Sequence, residues 1–398
     1  MINDFLKYQA QTSPYPLGME VSHARGSYIY DTNNKPYLDF VAGVSAASLG
    51  HQHPRVNGAI IDQLNKYSHV MVYGEYAQHP ATEFCKLLAK HLPEGLDKTY
   101  LTNSGTEATE GALKLARRVT GRSQLISCFN AYHGNTMGSM SVMGFEERKQ
   151  VFRPLIPDVD FIMFNNEADL QKITTKTAGI ILETIQGGAG FIQPHNDFLK
   201  KVRKRCDEVG ALMILDEIQP GFGRTGKLFG FQNYDVVPDI IIMGKGMGGG
   251  MPVGAFTARA EMMDLLSHDP KLGHITTFGG HPVIAAACLA TLQELVETDI
   301  MAQALEKEKL FRKLLVHPLI KEVRGEGLML APMTESAAIT DKVILRCQEK
   351  GLILFWLLFE GKAIRITPPL TISDEEIKEG CGIIIEVMNE ILAEQSGK

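Results

Sequence analysis

The chain has 398 residues, 44% of them hydrophobic and 22% charged, with a formal net charge of -6; this is the composition of a globular protein with room for two cores, and its acidic balance argues against a nucleic-acid partner or an anionic membrane surface. No apolar run is long enough to span a bilayer, and the opening MINDFLKYQAQTSPYP lacks both a signal-peptide core and a basic amphipathic presequence, so neither is expected. The six cysteines, at 85, 128, 206, 288, 347 and 381, show no CxxC spacing, so a reducing, cytoplasmic setting without zinc or disulfides is expected.

The first stretch that invites a chemical reading is His51-Gln52-His53-Pro54. An H-x-H pair with no carboxylate or third histidine beside it is a weak metal signal, and a turn is the simpler expectation. From about residue 98, short apolar runs alternate with helix-like segments. KTYLT (98–102) precedes TEATEGALKLARRVTG, where Ala108, Ala112, Leu115, Ala116 and Val119 share one helical face and Gly121 is a stop signal. QLISCF (124–129), AGIILET (178–184), ALMILDE (211–217) and PDIIIMG (238–244) are continuous apolar runs. Such runs fit strands buried on both faces, as in a parallel sheet. DFLKKVRKRCDEVG (197–210) reads as a crossover helix between two of them. The alternation predicts an open α/β sheet. The last hundred residues hold longer helical segments and two strand-like ones, GLILFW (351–356) and KAIRITP (362–368). There SDEE (373–376) forms a capping box that opens a final helix, with Ser373 as N-cap and Glu376 at N3. A second, smaller α+β domain is expected in this part.

GFGRTGKL (221–228) contains G-x-G-x-x-G and nearly makes a phosphate-binding P-loop. The P-loop fails because Leu228 stands where Ser or Thr must hold Mg²⁺. Both motifs also need a helix to start at the glycines, and KLFGFQNYDVVPD brings more Gly, aromatic residues and Pro instead. A nucleotide-binding protein using 221–228 is therefore the reading from another class, kept as a rival and disfavoured by its own context.

Chemistry concentrates at the ends of the apolar runs. Asp216 ends one and Lys245 follows another, amid Gly244, Gly246, Gly248, Gly249 and Gly250. In an open parallel sheet, ligands bind outside the carboxyl ends of the strands, so the two can share one crevice. A structural salt bridge between them fits the same spacing. LTNSGTEATEG adds Ser104, Gly105 and Thr106 between a strand and a helix, where backbone N–H groups and hydroxyls suit a phosphate. An N-cap with a turn glycine is the plain alternative. Phosphate site, carboxylate and lysine together point to pyridoxal 5′-phosphate, which uses a lysine and an acidic partner for its ring nitrogen.

These residues carry a family resemblance. YLDFVAGVSAASLGHQHP (37–54), NSGTEATEGALKLAR (103–117), AYHGNT (131–136), LETIQGGAG (182–190), LDEIQPGFGRTGKLFGF (215–231), PDIIIMGKGMGGGMPVGA (238–255), TTFGGHPVIAAA (276–287) and RITPPL (365–370) span nearly the whole chain. The chain resembles the class III, fold-type I pyridoxal-phosphate aminotransferases, the group that holds ornithine, acetylornithine and 4-aminobutyrate aminotransferases. The resemblance implies a large domain over 46–280 with a mostly parallel central sheet, and a small domain built from 1–45 and 281–398. It implies that Lys245 carries the cofactor and then moves a proton. Asp216 would keep the ring nitrogen protonated. Ser104, Gly105 and Thr106 would hold the phosphate, and Thr277 would hold the same phosphate from the other subunit of a homodimer. Tyr132 would stack on the ring beside His133, with Glu183 and Gln219 at its edge. Arg365 would clamp the α-carboxylate of a keto acid or amino acid.

The implied activity is transfer of an amino group from a primary or ω-amine, or an amino acid, to a 2-oxo acid. Racemisation, decarboxylation and amino migration on the same scaffold are the alternatives, since fold does not fix function. Three positions depart from the family pattern. Asn135 replaces an arginine that binds a distal carboxylate. Gly188 replaces a glutamate that masks the position of Arg365. Val44 stands where ornithine aminotransferase has a substrate-contacting tyrosine. These leave the cofactor chemistry intact and alter what the substrate meets.

Overall fold

The computed structural model describes residues 1–395. Three short strands lie near the start, β1 (Val21–Arg25), β2 (Tyr28–Asp31) and β3 (Pro36–Asp39). They pair antiparallel in sequence order, and the far end of the chain completes their sheet. Leu352–Ile353 runs parallel to β3, with Leu352 opposite Leu38. A second C-terminal pairing, Glu322–Glu326 with Met329–Met333, forms a hairpin. The helix Asp374–Gln395 follows the predicted capping box: Ser373 N–H donates to Glu376 at 2.7 Å, and Glu376 N–H donates to Ser373 Oγ at 3.2 Å.

The central sheet has seven strands, β4 (Lys98–Thr102), β5 (Gln124–Cys128), β6 (Val159–Ile162), β7 (Thr177–Glu183), β8 (Leu212–Asp216), β9 (Ile240–Gly244) and β10 (Gly254–Ala258), in the order β4-β10-β9-β8-β7-β5-β6. β10 alone runs against its neighbours; the other pairings are parallel. The apolar runs make strands because both faces are covered. Along β8, Ile214 joins one core while Met213 and Leu215 join the other. In β9 the same alternation puts Ile240 and Ile242 on one side, Ile241 and Met243 on the other. The first side meets the helix Gly105–Thr120 through Ala108, Ala112, Leu115 and Ala116. The second meets Phe198, Leu199, Val202 and Cys206 of the helix Phe198–Val209, the predicted crossover. Each fully buried aliphatic side chain here stabilises the fold by about 1.5–3 kcal/mol relative to exposure.

β10 is not evident in the apolar pattern, since GAFTA sets Phe256 among Gly, Ala and Thr rather than in a continuous apolar run. Its first residue must be glycine: a side chain at Gly254 would run into the carbonyl of Ser104.

Residues 221–229 form turns, and no helix begins at Gly221, Gly223 or Gly226. The nucleotide-binding rival thus lacks its structural context. Arg224, fully buried, instead ties this loop to the C-terminal region. Its guanidinium donates to the carbonyls of Leu328 and Pro368, and it lies 3.4 Å from Ser48 Oγ. Replacing it by Leu strands two buried carbonyls. Hydrogen bonds to charged groups contribute about 1.5–3 kcal/mol each, so Arg224→Leu is expected to lower stability by at least about 3 kcal/mol in denaturant unfolding. A loss under about 0.5 kcal/mol, typical of a surface site, would contradict this role.

Candidate active site

The parallel strands deliver their chemistry at one edge. Glu183 at the end of β7 lies opposite Asp216 at the end of β8. Lys245 follows β9 directly. β5 continues into Tyr132 and His133, and the helix Gly105–Thr120 starts just past β4. These ends surround a cavity of about 650 Å³. Glu183, Asp216, Gln219 and Lys245 line it, together with Ser104, Gly105 and Thr106 of the helix start and Tyr132, His133 and Asn135 of the loop after β5. Val44, Gly188 and Arg365 line it as well. Thr277 does not line the cavity and is exposed.

The salt bridge between Asp216 and Lys245 that the spacing allowed is not made. Asp216 Oδ2 lies 2.8 Å from His133 Nδ1, and Asp216 Oδ1 accepts the Ile218 N–H at 3.0 Å. A carboxylate only accepts, so the histidine proton sits on Nδ1 in this contact. His133 Nε2 is buried and has no partner. Among the described residues Lys245 has no ion-pair partner, and burial pulls its amine down to about 8, partly opposed by Asp216. Its backbone is held in the left-handed region, φ 44°. The glycine after it is required by a close approach: a Cβ at Gly246 would collide with the Ser48 hydroxyl.

Ser104 caps the helix Gly105–Thr120 weakly, 3.4 Å from Glu107 N. The N–H groups of the first turn face the cavity beside it, the arrangement that binds anions. Thr106 Oγ1 is engaged elsewhere, with Thr136 Oγ1 at 2.8 Å and Ser139 Oγ at 2.7 Å. Its contribution to an anion is therefore its backbone.

Glu183 accepts N–H bonds from Gly187 at 2.9 Å and Tyr132 at 3.2 Å. Burial nonetheless raises its carboxyl to about 7, with the His133 ring pulling the other way. Gln219 reaches Ser45 Oγ at 3.4 Å. Arg365 is 4% exposed, so the cation is almost wholly desolvated. Its Nε donates to the Trp356 carbonyl at 3.3 Å, and its Nη1 is buried without a partner. Burial lowers it to about 10, leaving it charged at neutral pH.

Several residues of the site were given no role by the sequence. Asn103, inside the NSGTEATEG segment, donates to Glu107 and to Thr276 Oγ1, at 2.9 and 2.8 Å, joining the helix start to the segment before Thr277. Phe355, Trp356 and Leu358 also line the cavity; only packing of the C-terminal segment brings them there. Residues 42–45 form a left-handed turn, Val44 at φ 60°. A β-branched residue there is strained by about 1–3 kcal/mol. Asp39 holds the turn by accepting the N–H groups of Val41 and Ala42 at 2.8 and 2.9 Å, while its other oxygen meets His51 Nε2 at 2.9 Å. His51 thus serves the turn. Among the described residues no group of three His, Cys, Asp or Glu could hold a metal ion.

The sequence matches the family model described as Aminotransferase class-III over residues 8–388. It is 40% identical to the acetylornithine aminotransferase of Clostridium acetobutylicum over 375 residues, 91% of this chain and 94% of that one. It is 35% identical to the [LysW]-aminoadipate semialdehyde/glutamate semialdehyde transaminase of Sulfolobus acidocaldarius, over 93% of this chain and 94% of that one. The fold superposes on an ornithine aminotransferase from Toxoplasma gondii with a TM-score of 0.92 at 31% identity, covering 100% of this chain and 96% of that one. That structure is described as having partial occupancy of PLP at its active site.

A lysine amine reacts only when neutral, so its reactivity rises as pH passes its pKa. Competitive labelling of the cofactor-free chain with a trace acylating reagent, read peptide by peptide, is expected to show Lys245 titrating near 8. Exposed lysines should titrate near about 10.4. A Lys245 midpoint at or above about 10, the ordinary lysine range, would mean that burial does not tune this amine.

Proposed function

The chain belongs to the class-III aminotransferases, and from that premise we propose that the cavity holds pyridoxal 5′-phosphate on Lys245 and serves transfer from a primary or ω-amine, or an amino acid, to a 2-oxo acid. One observation carries the cofactor assignment. A buried lysine amine without an ion-pair partner among the described residues shares its cavity with a strand-end carboxylate and a helix N-terminus. The donor set fits the group: a nucleophilic amine, an anion to face a ring nitrogen, and N–H groups for a phosphate. When bound, the cofactor supplies a ring that takes up electrons from the substrate carbon.

The chain's own residues then have definable work. Lys245 is both tether and base, and its lowered pKa lets Nζ accept and return the proton of the amine-bearing carbon near neutral pH. Asp216 presents a carboxylate whose direction is set by His133. Ser104, Gly105 and Thr106 bind the phosphate, while Tyr132, Glu183 and Gln219 fix the ring. Arg365 binds the α-carboxylate.

A homodimer belongs to this reading, with the partner subunit's Thr277 completing the phosphate site. In its support, Thr277 is exposed and flanked by Thr276, which bonds Asn103 at the cavity edge, and by Phe278, 53% exposed. The division into a unit over 46–280 and one from 1–45 and 281–398 is likewise proposed. Its support is the N-terminal sheet that Leu352–Ile353 completes. A cytoplasmic setting accords with six free thiols.

Transfer is tested by supplying an amine with pyruvate or 2-oxoglutarate and following alanine or glutamate. A racemase or decarboxylase would form neither. In the same assay Asp216→Asn removes one member of a desolvated charge pair, a loss of about 3–5 kcal/mol. Turnover is expected to fall at least about a hundredfold. Unchanged turnover would place Asp216 outside the chemistry.

A further inference from the structure

Gly188, one of the three positions that depart from the family pattern, carries no side chain, and the Phe359 ring occupies the space beside it. A Cβ there would stand 2.8 and 2.9 Å from two ring atoms of Phe359, and the Phe359 N–H donates to the Gly188 carbonyl at 2.9 Å. The segment carrying Phe355, Trp356 and Leu358 is thus docked onto residue 188. No carboxylate can extend from this point toward Arg365. The acids near the cavity are engaged: Glu183 with two backbone N–H groups, Asp216 with His133. Arg365 remains a desolvated guanidinium lining the cavity, with Nη1 unpaired and no carboxylate partner among the described residues. A buried cation in that state favours an incoming anion strongly, because pairing relieves its desolvation.

The lining beside Arg365 has a different character. Val44, Tyr132, Phe355, Trp356 and Leu358 face the cavity, Phe355 and Trp356 on the strand paired with that of Arg365. Trp356 has its single polar atom turned to Asp341, Nε1 to Oδ1 2.7 Å, so it offers carbon to a ligand. Asn135 is uncharged and stands at the exposed rim. Arg148 is the basic residue beside this wall, yet it does not line the cavity. It donates to the Leu358 carbonyl at 3.1 Å and its guanidinium lies 5.7 Å from the Phe359 ring centre.

We propose that donor and acceptor are both α-carboxylate compounds with apolar side chains: an apolar α-amino acid gives its amino group to an apolar 2-oxo acid. Both place the carboxylate on Arg365 and the side chain against Val44, Trp356 and Leu358. The donor carbon loses its amino group and hydrogen and gains the oxo oxygen. The acceptor carbon undergoes the reverse, so the two-electron oxidation of one is the reduction of the other. Since no side chain at residue 188 can cover Arg365, an amine lacking the α-carboxylate leaves a buried cation unpaired. This rests on the aminotransferase reading and narrows it.

The test uses the holoenzyme and molecules matched in shape. With L-alanine as donor, 4-methyl-2-oxopentanoate is compared with 2-oxoglutarate, which carries a carboxymethyl group in place of the isopropyl group. With pyruvate as acceptor, L-leucine is compared with 3-methylbutan-1-amine, which lacks only the α-carboxylate. The branched keto acid and leucine are each expected to win by at least about tenfold in kcat/KM, equivalent to about 1.4 kcal/mol. By calorimetry, Arg365→Gln should weaken 4-methyl-2-oxopentanoate binding at least about tenfold, on the same scale. If 2-oxoglutarate is the better acceptor, the apolar wall is refuted; loss of that preference in Arg148→Gln would identify Arg148 as the distal clamp. If the bare amine matches leucine, the demand for an α-carboxylate is refuted. Alanine or leucine formed in some arms with either of these preferences leaves the aminotransferase reading standing. No transfer in any arm overturns that reading and the proposal together.

Discussion

Asp216 pairs with His133 at 2.8 Å, and that choice of partner organises the cleft. A carboxylate at the end of a buried strand must be satisfied by something. If Lys245 satisfied it, the lysine would be a structural cation held fully protonated. With histidine in that place, the carboxylate is oriented by the loop that follows β5 and the amine is left to the cavity. Burial then lowers the amine to about 8, within reach of the neutral form at physiological pH. One hydrogen bond thus separates a structural ion pair from a reactive site.

The same economy of charge governs the substrate side. Arg365 is desolvated; its Nε donates to the Trp356 carbonyl, its guanidinium lies 5.8 Å from the Phe191 ring centre, and it has no carboxylate partner among the described residues. No covering acid extends from residue 188, which is glycine and has the Phe359 ring packed against it. On this side the cleft therefore combines a buried guanidinium with the carbon-rich lining of Phe355, Trp356 and Leu358. Its shape depends on strained backbone as well: the left-handed turn at 42–45 that presents Val44 is held by Asp39, which His51 in turn steadies. Such strain persists where surrounding structure over-determines it, commonly at functional sites.

What could be read in the sequence follows from which forces are local. β7, β8 and β9 were legible because burial on both faces leaves unbroken apolar runs. The helix Gly105–Thr120 was legible from its period and Gly121, and the final helix from Ser373 and Glu376. Asp216 and Lys245 stood out because polar residues ending such runs need a reason. β10 was not legible, since its apolar residues make no continuous run and its Gly254 answers to the Ser104 carbonyl, far earlier in the chain. The partner of Asp216 was not legible either: His133 is 83 residues away. The cavity role of Trp356 and Leu358, and the fit of Phe359 onto Gly188, also depend on distant segments meeting. The H-x-H pair showed the converse limit. It looked like a possible ligand set in isolation, and His51 proved to be the support of a turn.

The central claim is that Lys245, alone among the lysines, carries the cofactor. The direct measurement is to load the chain with pyridoxal 5′-phosphate, reduce it with borohydride, and locate the added mass by peptide mapping. The account predicts one adduct, on the peptide that contains Lys245, with the buried Lys149 and the loop residue Lys227 unmodified. An adduct centred on any other lysine, or no adduct after reduction, would contradict it.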